Sequence, residues 1–267
     1  MIPKIIHYCW FGGNPLPDLA QKCIASWKKY CPDYEIKEWN ELNFDVNCCA
    51  FVKEAYAARK WAFVSDYARL KIIYDHGGIY LDTDVELIKG FNPFLDNKCF
   101  LGEETLGGIN TGLGFGAEKA NLIVGEMLDM YERKHFKLED GSYDMTPCPE
   151  INTEPLRKYG YVFSGKKIWK DENVVIYPPE YFCPINYVTG EKNITNNTYS
   201  IHLYNASWHT WIEAAISAIE RGNFEKNSLE YKFRRTVSLP FRVINKIYYK
   251  GLKNAWICVT KKVKRRF

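Results

Sequence analysis

No apolar run in this chain approaches the ~18 residues that span a bilayer, so a membrane-crossing helix is not expected. The opening MIPKIIHYCWFGG lacks the charged start, apolar stretch and small-residue cleavage site of a secretory signal. The nine cysteines are odd in number and lack the paired CxxC spacing of a zinc site, so reduced thiols in a cytosolic chain are the expectation. Internal repeats and low-complexity segments are missing too. With 46% hydrophobic and 25% charged residues, the 267-residue chain has the balance of a folded protein and not of a disordered one. Aromatics, at 16%, are plentiful, and flat amphipathic rings can stack on bases and sugars.

Acidic residues are missing from one end. Residues 231–267 carry twelve Lys or Arg and no Asp or Glu, so the overall +4 hides a body of net −8 over residues 1–230. Within the tail, Val243, Ile244, Ile247, Tyr248 and Trp256 alternate with Arg242, Lys246, Lys250 and Lys253 at near-helical spacing, interrupted by Gly251. A basic amphipathic helix suits an anionic membrane surface, where each basic group contributes ~1 kcal/mol. A solubilising tail is the plainer alternative, and nucleic acid is the less favoured partner.

The body alternates strand and helix patterns, which predicts a mostly parallel sheet. Strands are expected at residues 4–10, 34–39, 79–82, 99–103, 109–115, 174–177 and 200–203. Helices are expected at 19–30, 62–76, 119–134 and 207–221, the second stopped by Gly77-Gly78. Residues 140–154, rich in Pro, Gly and polar groups, read as a surface loop.

One segment is more specific than the rest: Ser65-Asp66-Tyr67-Ala68-Arg69-Leu70, then Gly77-Gly78-Ile79-Tyr80-Leu81-Asp82-Thr83-Asp84. Asp82 and Asp84, two apart after an apolar strand, would share a side in extended geometry and form a hard-cation site for Mn²⁺ or Mg²⁺. Two turn carboxylates capping the next element are the plainer reading. Asp66 and Arg69 lie three apart on the preceding helix and so share a face. They read either as a simple intrahelical ion pair or as groups aimed at a polar ligand.

IPKIIHYCWFGG, SDYARLKIIYDHGGIYLDTDVE and HLYNASW together resemble the DXD-containing sugar transferases of glycosyltransferase family 32. More distantly they resemble the catalytic domains of large clostridial glucosylating toxins. The resemblance covers residues 1–115 well and 195–212 moderately; it covers neither the middle nor the tail. It implies a GT-A fold, Rossmann-like, as the catalytic domain over residues 1–230, with the membrane-associating tail at 231–267. It implies that Trp10 stacks on a nucleotide base, Asp66 and Arg69 hold the donor sugar, and Asp82 mainly contacts ribose and sugar and reaches the metal through water. Asp84 would be the direct metal ligand and His202 a third one, with His209 as its neighbour alternative. Ser207 and Trp208 would touch metal or diphosphate, Asn110 would sit near the anomeric carbon, and Tyr80 would line the site. His7, inside the first strand, reads as structural.

The activity so implied is metal-dependent transfer of a hexose from a nucleotide sugar with retention of configuration, UDP-galactose or UDP-glucose favoured over GDP-mannose. The acceptor expected is a lipid-linked oligosaccharide at the inner membrane face, in capsule, exopolysaccharide or lipopolysaccharide synthesis. Two other readings compete. A haloacid-dehalogenase-type phosphatase needs Thr or Val where Glu86 stands, and a non-catalytic sugar-nucleotide-binding module has no need of all four of Asp66, Arg69, Asp82 and Asp84.

Overall fold

A computed structural model describes residues 1–186, 189–205, 215–216, 219 and 228–244. The expected helix at 207–221, Ser207, Trp208, His209 and most of the basic tail lie outside the described residues. The chain divides into two compact units. The first comprises Met1–Phe136, Met145–Tyr187 and Glu191–Asn205; the second comprises Lys137–Asp144, Val188–Gly190 and Ala206–Phe267.

The first unit opens on β1 (Ile5–Cys9), α1 (Asp18–Tyr30) and β2 (Glu35–Trp39), then α2 (Ala50–Ala57), α3 (Trp61–His76) and β3 (Gly78–Tyr80). It continues through β4 (Val85–Leu87), β5 (Cys99–Gly102), β6 (Phe115–Ala117), α4 (Leu122–Glu132) and α5 (Cys148–Thr153). It ends with β7 (Trp169–Lys170), β8 (Val175–Tyr177), α6 (Pro179–Phe182) and β9 (Ser200–His202). Seven strands form a mixed sheet in the order β2-β1-β3-β6-β5-β8-β7, and β4 pairs with β9 apart from it. β1 runs parallel to β2 and β3, and β5 runs parallel to β8; β6 is antiparallel to both neighbours. The α/β class and mixed sheet match the expectation.

Two devices place the loops that matter. Trp27, fully buried on α1, donates its indole N–H to the Val85 carbonyl at 2.8 Å, and Ser26 Oγ accepts from Leu87 N at 2.9 Å. Together they clamp β4 onto α1, which fixes the turn just before it. Gly77 closes α3 with its N–H on the Ile73 carbonyl, and Gly78 follows at φ +106°. A Cβ on Gly78 would stand 2.8 Å from His7 Nε2, so only glycine lets β3 pass beside β1 there. Behind the sheet, Phe91, Phe94, Phe100, Phe182, Tyr177 and Tyr199 pack as one aromatic cluster, for example Phe94 on Tyr199 with centroids 4.6 Å apart.

Three local expectations are corrected. Residues 109–114 do not form a strand: Gly112 and Gly114, the latter at φ +124°, keep the chain in a loop until β6 begins at Phe115. Residues 140–154 are not all surface loop, because Cys148–Thr153 forms α5 with Cys148, Ile151 and Asn152 buried. Pro147 and Pro149 look like turn signals, but proline is also at home in the first turn of a helix. The third strand ends at Tyr80, so Asp82 and Asp84 stand in a turn, not on a strand.

In the second unit, α7 (Leu229–Val237) is capped by Ser228, whose hydroxyl accepts from Tyr231 N at 3.1 Å. Leu229, Phe233 and Val237 recur every fourth residue along it and are all exposed. Among the described residues, no helix is long and apolar enough to cross a membrane.

Candidate active site

The site grows from the C-terminal edge of the sheet. α3 is buried almost all round, and two of its charged residues go in with the apolar ones: Asp66 and Arg69 are 8% and 4% exposed. Burying single charges is costly, so each must find a partner. Arg69 Nη2 lies 2.8 Å from Asp66 Oδ1 and 3.4 Å from Asp82 Oδ1. Its Nε donates to the Ser65 carbonyl at 3.1 Å, and the guanidinium sits over the Tyr80 ring, 5.2 Å from its centroid. Tyr80 donates its hydroxyl to Asp82 Oδ1 at 3.1 Å. The intrahelical ion pair is therefore present, but as part of a three-residue network that ties α3 to the acidic turn.

Asp84 is held from the other flank of that turn. Its Oδ1 lies 3.2 Å from His202 Nε2, its Oδ2 accepts from Asn205 N at 2.9 Å, and its carbonyl accepts from Leu203 N at 2.9 Å. His202 gets there because β9 pairs antiparallel with β4, with Val85 opposite His202. Asp82, Asp84 and His202 thus offer three ligand atoms within 4.8 Å of one another. Sharing of a side by Asp82 and Asp84 was anticipated, but a tight turn closed by Val85 N on the Asp82 carbonyl produces it.

The electrostatics match this geometry. Burial pushes the Asp82 carboxyl up, with Arg69 opposing and Asp84 adding to the rise. Asp84 goes down: burial alone would raise it, but the His202 ring outweighs that. The His202 ring goes up, since Asp84 and Asp82 overcome its burial. Asp66 is pushed up to about 6 by burial, against the pull of Arg69. The donor set of two carboxylates and an imidazole fits a hard or borderline divalent cation. Among the described residues, the buried His202 Nδ1 has no hydrogen-bond partner.

Other anticipated residues divide. Asn110 is at the site: its Oδ1 accepts from Gly112 N at 2.8 Å and its Nδ2 donates to Glu104 Oε2 at 3.0 Å. Trp10 is half-buried just past β1, and since His7 pairs with Tyr80, register puts it at the same sheet edge as Asp82. Its indole N–H donates to the Asn14 carbonyl at 2.6 Å. His7 is structural: Nε2 bonds the Gly77 carbonyl and Nδ1 accepts from Trp39 Nε1, both at 3.0 Å, and burial drops its pKa to about 4.

Several residues of the site were not foreseen. Gly112 passes tight against the acidic turn; a Cβ there would fall inside contact distance of Asp82 Oδ2. Cys148 on α5 places its sulfur 3.8 Å from Arg69 Nη1 and 3.7 Å from Asn110 Oδ1, and burial pushes the thiol far up, so it is a packed, unreactive group. Asn152 holds Thr111 Oγ1 at 3.0 Å. Glu103 and Glu104 leave β5 much as Asp82 and Asp84 leave β3, and that repetition was the sequence signal available for them.

Comparison with known proteins agrees with this assembly. Residues 17–101 match the model described as a glycosyltransferase sugar-binding region containing the DXD motif. A lactosylceramide 4-alpha-galactosyltransferase of Mus musculus is 25% identical over 67% of this chain and 52% of its own length. An inositol phosphoceramide mannosyltransferase 3 of Schizosaccharomyces pombe is 31% identical over 43% of this chain and 33% of its own. The chain thus spans from a third to about half the length of these relatives. Among solved structures, the PaToxG glycosyltransferase aligns at 21% identity and TM-score 0.46, covering 59% of this chain and 70% of that one. Residues 17–101 of the chain, which carry Asp66, Arg69, Asp82 and Asp84, are thus similar to the sugar-binding region of DXD-containing glycosyltransferases.

Proposed function

We propose that this protein is a metal-dependent, retaining glycosyltransferase that moves a hexose from a nucleotide sugar to a glycan. The observation that carries the reading is the convergence of Asp82, Asp84 and His202 beside the buried Asp66–Arg69 pair. The curated relatives are named for galactose and mannose transfer and for ceramide lipids. UDP-galactose or UDP-glucose is the favoured donor and GDP-mannose the alternative, with a lipid-linked oligosaccharide as acceptor in capsule, exopolysaccharide or lipopolysaccharide assembly.

In this reading Asp82, Asp84 and His202 hold Mn²⁺ or Mg²⁺. The cation, when bound, supplies positive charge against the departing diphosphate. Trp10 offers its ring to the base. Asp66 accepts from a donor hydroxyl and Arg69 fixes the Asp66 and Asp82 carboxylates, a positioning effect. Ser207 and Trp208 would reach the diphosphate. The acceptor hydroxyl forms its bond to the anomeric carbon as the carbon–oxygen bond to the diphosphate breaks on the same face, and its proton passes to the leaving phosphate oxygen. The exposed stripe of Leu229, Phe233 and Val237 and the basic residues beyond it support attachment to an anionic membrane at its cytoplasmic face.

The test is UDP release from UDP-galactose, UDP-glucose and, as GDP, from GDP-mannose, with Mn²⁺ and with chelator. Metal-dependent release supports the transferase; metal-dependent binding with no release identifies a binding module instead.

A further inference from the structure

Next to the acidic cluster opens a cleft of about 550 Å³ that none of the steps above uses. Glu104, Gly108, Pro149, Arg157, Val162 and Phe163 are among its walls. Its size suits one or two sugar rings. It shares a wall with the site: Glu104 binds Asn110, Asn110 binds Gly112 N, and Gly112 lies against Asp82.

The apolar wall is built, not frayed. Val162 and Phe163 are 75% and 41% exposed, yet the loop that carries them is pinned from beneath by buried Glu103. That carboxylate accepts from the Tyr161 hydroxyl and Gly165 N, both at 2.9 Å, and from Ser164 N at 3.3 Å. An aromatic face held in water by buried hydrogen bonds is preorganised for a ligand with an apolar face, as the C–H side of a hexose is. The polar walls set the sign of charge. Two carboxylates, Glu104 and Glu150, line the cleft against one cation, Arg157, which is itself paired with Glu154 at 2.8 Å. A second anion would be repelled there.

We infer that this cleft holds the acceptor, an uncharged hexose-terminated glycan whose sugar face rests on Phe163 and whose hydroxyl meets the Glu104 carboxylate. The inference rests on the transferase reading and adds the acceptor's chemical class. Asn110 engages Oε2 of Glu104, so that carboxylate is oriented before the acceptor arrives.

The experiment measures UDP release by the full chain with UDP-galactose or UDP-glucose and Mn²⁺. The probes are lactose, maltose, cellobiose and mannobiose, each beside a disaccharide ending in a uronic acid. At least one neutral probe stimulates release and the acidic ones do not. Phe163→Ala then raises KM for the stimulating probe about tenfold, the loss of one stacking contact of ~1.4 kcal/mol, while donor KM stays within about twofold. Glu104→Gln lowers kcat/KM for that probe, because the carboxylate that accepts its hydroxyl is lost. Stimulation by the acidic probes, stimulation by none, or an unchanged probe KM in Phe163→Ala overturns the inference while donor turnover leaves the transferase reading standing. Absence of donor turnover in the unaltered chain overturns both.

Discussion

Two buried histidines stand at opposite ends of the same argument. His7 and His202 are 1% and 8% exposed, and both sit on short strands. Around His7 are Trp39, the Gly77 carbonyl and the His76 ring, and burial drives its pKa down to about 4. Around His202 are Asp84, Asp82 and Glu104, and its pKa goes up despite the burial. The first ring is a neutral structural spacer between β1 and the end of α3. The second sits among carboxylates. Burial alone therefore does not distinguish the two rings; the charge that surrounds each one does.

The largest effect is on turnover. Asp84→Asn should lower donor turnover at least about a thousandfold by removing a metal ligand, whereas His7→Gln should leave it within about threefold. Initial rates of UDP release with saturating Mn²⁺ decide this, and comparable losses in the two variants would erase the distinction.

The second contrast sets two glycines against each other. Gly112→Ala should cost about ten- to a hundredfold in kcat, since the new methyl must displace Asp82. Gly78→Ala, at φ +106° and against His7, should instead cost about 1–3 kcal/mol of stability and leave donor KM alone. Urea melts and donor KM on the same preparations separate the two.

The smallest effect is on acid stability, and it has opposite signs at two groups. His7 is lowered to about 4 in the fold from 6.5, so the unfolded chain binds the extra proton between those values and stability is lost as pH falls through that window. By pH 5 the loss is about 2 kcal/mol. Asp66 is raised to about 6 from 3.8, so there the folded chain binds the extra proton and stability rises as pH falls toward 4, by about 1 kcal/mol at pH 5. The second offsets only part of the first in the unaltered chain. His7→Gln should therefore be the more acid-tolerant protein between pH 7.5 and 5, and Asp66→Asn the less tolerant one, by urea melts at both pH values.

Much of this was legible in the sequence where local signals sufficed. The Gly77-Gly78 stop, β1, α1, α3 and the carboxylates at 82 and 84 announce themselves through apolar period and turn chemistry, within a residue or two of their observed bounds. His202 could be named from its strand-end position, but its ligand geometry needs the β4–β9 pairing, a contact across more than a hundred residues that no local pattern encodes. Cys148 and Asn152 were hidden for a different reason. Their segment is written in prolines and polar residues, and only tertiary packing against Arg69 and Thr111 turns it into a buried helix. Asp66 shows a third limit: its spacing from Arg69 predicts the pair, but nothing local predicts that both are buried.

Thermal melting with Mn²⁺ and UDP-galactose or UDP-glucose, singly and together, tests the metal-and-donor site most directly. With donor at about a hundred times Kd, the unaltered chain should gain ~2.7 kcal/mol, a rise of about 5 °C or more in Tm that needs both components. Asp84→Asn should show none of that joint shift. An equal shift in Asp84→Asn, or no joint shift in the unaltered chain with any nucleotide sugar, would contradict the account.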